Sequence, residues 1–127
     1  MRSDQCRQAE RFGDRLSWVL CPRSNDYIEG ARPPVETLRR AGVRIALGTD
    51  SLSSNETLSI VEELKMLRSV PLDEALRWAT LGGAEALGID LWAGSFVPGK
   101  RPGAVLLGGI DFRTTTLRDD AFSRRIL

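Results

Sequence analysis

Compact apolar runs, set apart by polar stretches rich in Gly and Pro, give the chain its rhythm. Residues 16–21 (LSWVLC) leave little room for a polar face and predict a strand; residues 43–48 (VRIALG) predict the next. Between residues 53 and 69 the period changes. Leu58, Val61, Leu64 and Leu67 form one apolar stripe, with Glu56, Glu62, Glu63 and Lys65 mostly off it. This is the strongest helical signal, and Ser53 and Glu56 have capping-box spacing at its start. Residues 3–13 predict another helix, with Ser3 or Asp4 as cap, Cys6, Ala9 and Phe12 on one face and Gly13 as stop. Residues 33–42 (PPVETLRRAG) predict a short helix, Pro at its start and Gly42 just past its end. Residues 22–34 (PRSNDYIEGARPP) read as a loop of turn formers.

Residues 71–88 predict two short helices, broken near Gly82 and Gly83 and closed by Gly88. Beyond this the texture changes. Residues 92–112 are rich in Gly and Pro with one clear strand at 104–107, and residues 113–127 show no firm pattern. A composition boundary therefore falls near residues 88–93. The order helix, strand, loop, helix, strand, helix signals parallel βα units. In such folds active sites gather where strands end and loops begin. Two loops qualify: the one after Cys21 and the one after Gly48.

Composition narrows the functional classes. At 127 residues the chain is long enough for one modest core. Its net charge of +1 comes from 16 Arg, 2 Lys and 17 acids, with no basic excess that would ask for nucleic acid. The pairs Arg39-Arg40 and Arg124-Arg125 are too short to make a nucleic-acid patch. Cys6 and Cys21 lack CxxC spacing and read as small buried hydrophobes in a reducing compartment. The polar start at Met1 predicts no signal peptide, and no apolar run approaches the ~20 residues of a membrane helix, so a soluble, cytoplasmic protein without a membrane partner is expected. Histidine is absent, which removes the commonest metal ligand and the commonest general base at neutral pH.

Three motifs carry possible chemistry. Gly94 to Lys100 satisfies GxxxxGK, but Arg101 stands where a P-loop needs Ser or Thr, Pro98 lacks an N–H, and a strand rather than a helix follows; a turn is expected. Asp50, at the end of the second strand, has two readings. With Ser51, Ser53 and Ser54 it can satisfy free amides at the next helix, as Asp and Ser do well. Alternatively, a carboxylate on a rigid strand end can bind a metal or orient a water. The segment Cys21-Pro22-Arg23-Ser24-Asn25 is likewise either a turn or a set of polar groups facing a pocket at the same end of the sheet.

Taken in order, VLCPRSN (19–25), PPVETLRRAGVRIALGTDS (33–51), LDEALRWATLGGAEALGI (72–89) and GSFVPGKRPGAVLL (94–107) resemble the C-terminal part of the amidohydrolase superfamily. The similarity is to the cytosine-deaminase-like and chlorohydrolase-like branch, which includes S-adenosylhomocysteine and guanine deaminases. The resemblance implies an α/β fold: about strands seven and eight, with flanking helices, of a metal-dependent (β/α)₈ TIM barrel in residues 1–90, and a segment of a composite β-sandwich in residues 91–127. Asp50 would be the strand-eight aspartate, both metal ligand and catalytic proton acceptor, and Ser24 and Asn25 would shape the substrate pocket. Zn²⁺ or Fe²⁺ would activate the attacking water of a hydrolase that breaks C–N or C–halogen bonds of cyclic, nucleobase-like substrates.

The departure from the family is severe. The resemblance calls for a His-x-His pair on strand one and further His residues on strands five and six, and this chain has none. A single carboxylate does not make a tight metal site. The expectation is therefore a fragment that binds no metal and is inactive alone. The alternative is a non-catalytic module that completes the barrel of a partner chain supplying strands one to six, since two strands cannot close a barrel and leave open edges; a complementing N-terminal chain or a homo-oligomer is the partner expected.

Overall fold

The computed structural model describes residue 4 and residues 8–127. The helix expected at residues 3–13, and Cys6 within it, lie largely outside the described residues; the described part ends in a 3₁₀ helix, Glu10–Arg15. Two short strands follow at the expected places, β1 (Trp18–Leu20) and β2 (Ile45–Leu47). They pair in parallel, with Trp18 opposite Ile45 and Leu20 opposite Leu47, so their C-terminal ends lie side by side. Parallel neighbours require a long crossover. Here it holds two helices, α1 (Pro22–Glu29) and α2 (Val35–Arg40).

Helix α1 replaces the loop expected at residues 22–34. Pro22 occupies the first turn, where its missing N–H costs nothing, and Gly30 ends the helix in the left-handed region at φ 61°. Only Pro22 and Ser24 of this helix are buried, while Tyr27 and Ile28 are exposed, so no apolar period advertises it. Helix α2 forms as expected. Glu36 in its first turn and Arg39 and Arg40 in its last complement the helix dipole, and Leu38 is fully buried. Arg39 reaches Glu74 at 2.6 and 2.9 Å and Glu36 at 3.0 Å, which ties α2 to the following helical segment.

The strongest predicted helix is shorter than expected. Helix α3 (Ile60–Lys65) starts after Ser59, and no side chain caps it. Ser53 and Glu56 form no capping box: the Ser53 hydroxyl meets that of Ser51, Glu56 pairs with Arg23 at 3.7 Å, and Leu58 is exposed. The region 71–88 is one helical run rather than two broken pieces: α4 (Leu72–Arg77), a π turn (Trp78–Gly82) and α5 (Gly83–Leu87), closed by Gly88 as expected. Gly82 does not break it; it lets the helix approach β2. A Cβ there would lie 2.4 Å from the carbonyl oxygen of Ile45.

The tail, expected to be patternless, is half of an antiparallel hairpin, β3 (Val105–Asp111) and β4 (Thr116–Arg125). The register shifts between Gly108 and Ile110, where Gly109 takes φ 80° and lies so close to Ala121 that a Cβ would approach its Cα to 2.5 Å. Residues 94–100 form the expected turn, closed by a 3.1 Å bond from the Lys100 N–H to the Val97 carbonyl.

One buried cluster joins these parts. Leu20, Leu38, Ile45, Leu47, Val61, Leu64 and Trp78 pack with Leu117 and Ala121 of the hairpin. Val19, between Trp18 and Leu20, points away from this core and is 56% exposed. Parallel sheets are ordinarily covered on both faces; here all of β2 is buried, Ala46 opposite Val19 included, and the sheet lies open only at Val19 of β1. Among the described residues, no helix is long and apolar enough to cross a membrane.

Candidate active site at the strand ends

Asp50 sits three residues beyond β2 in a left-handed backbone conformation, φ 58°. A non-glycine residue pays about 1 kcal/mol there, and surroundings that over-determine the loop must hold it. They do so through hydroxyls. Ser24 Oγ, on the first turn of α1, lies 2.9 Å from Asp50 Oδ2; Ser54 Oγ lies 3.1 Å from the same oxygen; and the two hydroxyls are 2.8 Å apart. Two protons thus serve three close contacts. Both hydroxyl residues are buried, whereas Asp50 is exposed.

This arrangement bears on the capping role expected of Asp50. Helix α3 begins ten residues after Asp50, and its own cap residue is Ser59. The Asp50 carboxylate is therefore held by hydroxyls from two segments, not spent on the amides of the next helix. Asn25 follows Ser24 on α1, half-buried, its N–H bonded to the Cys21 carbonyl at 2.9 Å. Among the described residues its side chain takes no part in the Asp50 cluster. Cys21 is a half-buried free thiol, and burial pushes its pKa up, so it stays protonated and unreactive at neutral pH.

Beneath the hydroxyl cluster lies a second, buried layer that the sequence did not single out. Glu63 of α3 has no exposed surface. Its Oε2 accepts the Arg23 N–H at 2.9 Å, and its Oε1 accepts Asn55 Nδ2 at 2.6 Å. Asn55 uses both faces of its amide. Nδ2 also donates to the Thr49 carbonyl at 2.9 Å, while Oδ1 accepts Arg23 Nε at 3.1 Å and the Thr57 N–H at 3.2 Å. Two donors and two acceptors surround it, which fixes the amide orientation. Burial pushes the Glu63 pKa up, opposed by the Arg23 N–H and the Asn55 amide. A buried carboxyl placed off the apolar stripe of its helix was the available signal.

Does the chain hold a metal site? Among the described residues no group of three or more His, Cys, Asp or Glu could ligate a metal ion, and the sequence has no His. Asp50 supplies one carboxylate, and among the described residues nothing beside it completes a tetrahedral set. The donors of the described residues do not fit zinc or iron.

Comparison with known proteins gives the setting for this geometry. The model of the amidohydrolase family matches residues 6–126. A 5-methylthioadenosine/S-adenosylhomocysteine deaminase of Pelotomaculum thermopropionicum is 38% identical over 110 residues, 78% of this chain and 24% of that protein. The protein of the same name from Halobacterium salinarum is 42% identical over 85 residues, 58% of this chain and 20% of its own length. Among solved structures, an adenosine deaminase from Xanthomonas campestris with bound zinc superposes with a TM-score of 0.70 at 31% identity, covering 83% of this chain and 26% of that one. Guanine deaminase from E. coli gives a TM-score of 0.69 at 26% identity, covering 80% of this chain and 24% of that one. The chain thus spans about a fifth to a quarter of the length of the relatives it matches.

Proposed function

Because the chain belongs to the amidohydrolase family, we propose that it is the strand-seven and strand-eight part of a deaminase barrel, carrying one catalytic carboxylate of a site whose other members lie on segments outside it. The observation that carries this reading is the Asp50 carboxylate. It stands exposed at the end of the second of two adjacent parallel strands, gripped by hydroxyls on the head of α1 and on its own loop.

In this reading the hydrolysed bond is the C–N bond of an amino-substituted, adenine-like or guanine-like ring, the class named for its relatives. Asp50 holds the attacking water and takes its proton. Ser24 and Ser54 fix the carboxylate through Oδ2, which leaves Oδ1 for that water. Ser24, buried against Asp50, shapes the pocket through that carboxylate, and Asn25 beside it on α1 is the proposed substrate-facing group. The Zn²⁺ or Fe²⁺ of the whole enzyme would supply the acidified water. Its remaining ligands would be imidazoles on other strands, so the chain alone holds no tight metal and turns nothing over. Residues 91–127, with the β3–β4 hairpin, are the proposed C-terminal share of a β-sandwich.

A second reading has its own support. The 56% exposure of Val19 and the two-stranded sheet fit a module that docks onto a partner supplying the remaining strands. One experiment addresses both. The 127-residue chain, with zinc or iron added, is assayed on adenosine, S-adenosylhomocysteine and guanine, alone and mixed with a separately produced segment carrying strands one to six. The expected result is no turnover alone and zinc-dependent ammonia release from the mixture. Turnover by the chain alone would overturn the proposal.

A further inference from the structure

The buried layer under Asp50 closes into a ring. From the Arg23 N–H the bonds run to Glu63, from Glu63 to Asn55, and from Asn55 to the Thr49 carbonyl. The Thr49 carbonyl belongs to the peptide that leads into Asp50. From the Asp50 carboxylate the path returns through the Ser24 hydroxyl to the residue beside Arg23. The ring links the end of β1, the end of β2 and helix α3, three segments that share no local sequence. Each member adds a constraint that the others lack. Thr49 is pinned by its carbonyl, Arg23 by its backbone N–H and its guanidinium, and Asn55 by four bonds.

We propose that Glu63 is a positioning residue for Asp50. Its buried carboxylate clamps the heads of both strand-end segments and, through Asn55, holds the Thr49–Asp50 peptide so that Asp50 keeps its left-handed backbone and its contact with Ser24. The inference rests on the reading of Asp50 as a catalytic carboxylate only for its functional meaning; the clamp itself is a statement about geometry.

The chemistry of the donors explains why a carboxylate stands at position 63. Both of its oxygens face N–H donors, so only a group with two acceptors satisfies them. Glutamine has one acceptor and one donor. In Glu63→Gln, the Oε1 can take the Arg23 N–H, but the new Nε2 then faces Asn55 Nδ2, donor against donor. Asn55 cannot turn over to relieve this, because its Oδ1 already serves Arg23 Nε and the Thr57 N–H. The volume at position 63 is unchanged, so the variant breaks one link and leaves the packing of α3.

The test uses the 127-residue chain in solution, with NMR as readout. A residue at positive φ gives an unusually strong intraresidue cross-peak between its amide and α protons, and Asp50 is expected to show it in the native protein. In Glu63→Gln the core resonances of Leu38 and Trp78 should stay in place, while the Asp50 cross-peak weakens to that of an ordinary residue. The Arg23 amide keeps an acceptor that is now neutral, so it should exchange only a few-fold faster, as expected when a bond loses its charge assistance. Glu63→Asp, which keeps both acceptors, should restore part of the Asp50 signature. A Glu63→Gln protein that melts lower yet keeps the Asp50 and Asn55 signals unchanged would reduce Glu63 to a structural role and overturn the proposal. If Glu63→Gln does not fold, Asn55→Ala cuts the same ring on the loop side and must give the same change at Asp50. The native protein decides in any case: an Asp50 without the positive-φ signature, or an Arg23 amide that exchanges freely, contradicts the clamp. None of these readouts requires metal or turnover, so the clamp and the proposed function fail separately.

Discussion

The strand-end cluster and the C-terminal hairpin are built on opposite principles. In the cluster, Ser24, Asp50, Ser54, Asn55 and Glu63 form side-chain bonds across sequence gaps as large as 40 residues, with Glu63 fully buried. In the hairpin, backbone pairing between β3 and β4 does the work, Leu117 and Ala121 anchor it to the core, and its ion pairs lie at the surface. A polar network in low dielectric carries high stakes: satisfied, it specifies one geometry, and broken, it leaves charge without a partner. A hairpin held by apolar anchors loses energy in proportion to what is trimmed. Glu63 lies on the network side of this divide, which is why we propose that its contacts hold the backbone at Asp50 and not merely the fold.

Removing Glu63 should have the largest effect. Glu63→Ala leaves the Arg23 N–H and one Asn55 donor bond buried without an acceptor, and a loss of about 3 kcal/mol is expected in urea unfolding. Leu117→Ala, at a site lined by Leu64, Leu67, Val70 and Leu72, should cost about 2–3 kcal/mol in the same measurement, chiefly by loosening the hairpin from α3. Asp50→Asn should change stability by less than about 1 kcal/mol, since an amide oxygen still accepts from both hydroxyls and Asn tolerates positive φ. A stability cost comparable to that of Leu117→Ala would mark Asp50 as a structural residue.

Acid should separate the two regions by sign, with the smallest effect. The Glu63 carboxyl has its pKa raised above the ordinary 4.5 by burial. Its contribution is therefore fully present below pH 4.5 and is lost as pH rises through the folded value. The Asp119 carboxyl of the hairpin has its pKa lowered below 3.8 by the Arg68 guanidinium, so its contribution is present above 3.8 and fades as pH falls through the folded value. Comparing native protein with Glu63→Gln and Arg68→Ala across pH 3 to 7 should give difference curves of opposite slope. Curves of the same sign would contradict the assigned causes. The Arg68–Asp119 effect should be slight and vanish in high salt, because both side chains are well exposed.

What could be read from the sequence followed locality. β1, β2 and the position of Asp50 were legible because buried parallel strands are short apolar runs and glycine marks the exit of the second. Helix α1 was missed because its start, Pro22, and its stop, Gly30, are also turn residues, and its face toward the protein carries Ser24 rather than an apolar stripe. The capping-box spacing of Ser53 and Glu56 misled because other partners, Ser51 and Arg23, take both side chains. Strand β4 was hidden by Arg118, Asp119 and Asp120, an exposed charged run that breaks the alternation between Leu117 and Ala121. Glu63 was the deepest omission. Its role depends on Arg23 and Asn55, 40 and 8 residues away, and no spacing rule joins the three.

The central claim is that the carboxylate at position 50 belongs to a catalytic centre completed by other segments. The direct measurement is a graft, in which this chain replaces the matching segment of the Pelotomaculum relative and ammonia release and zinc content are compared with and without Asp50→Asn. The expected result is an active, zinc-loaded graft that loses about 100-fold or more of its rate on Asp50→Asn. An Asp50→Asn graft that folds and retains the rate and the zinc of its parent would contradict the account.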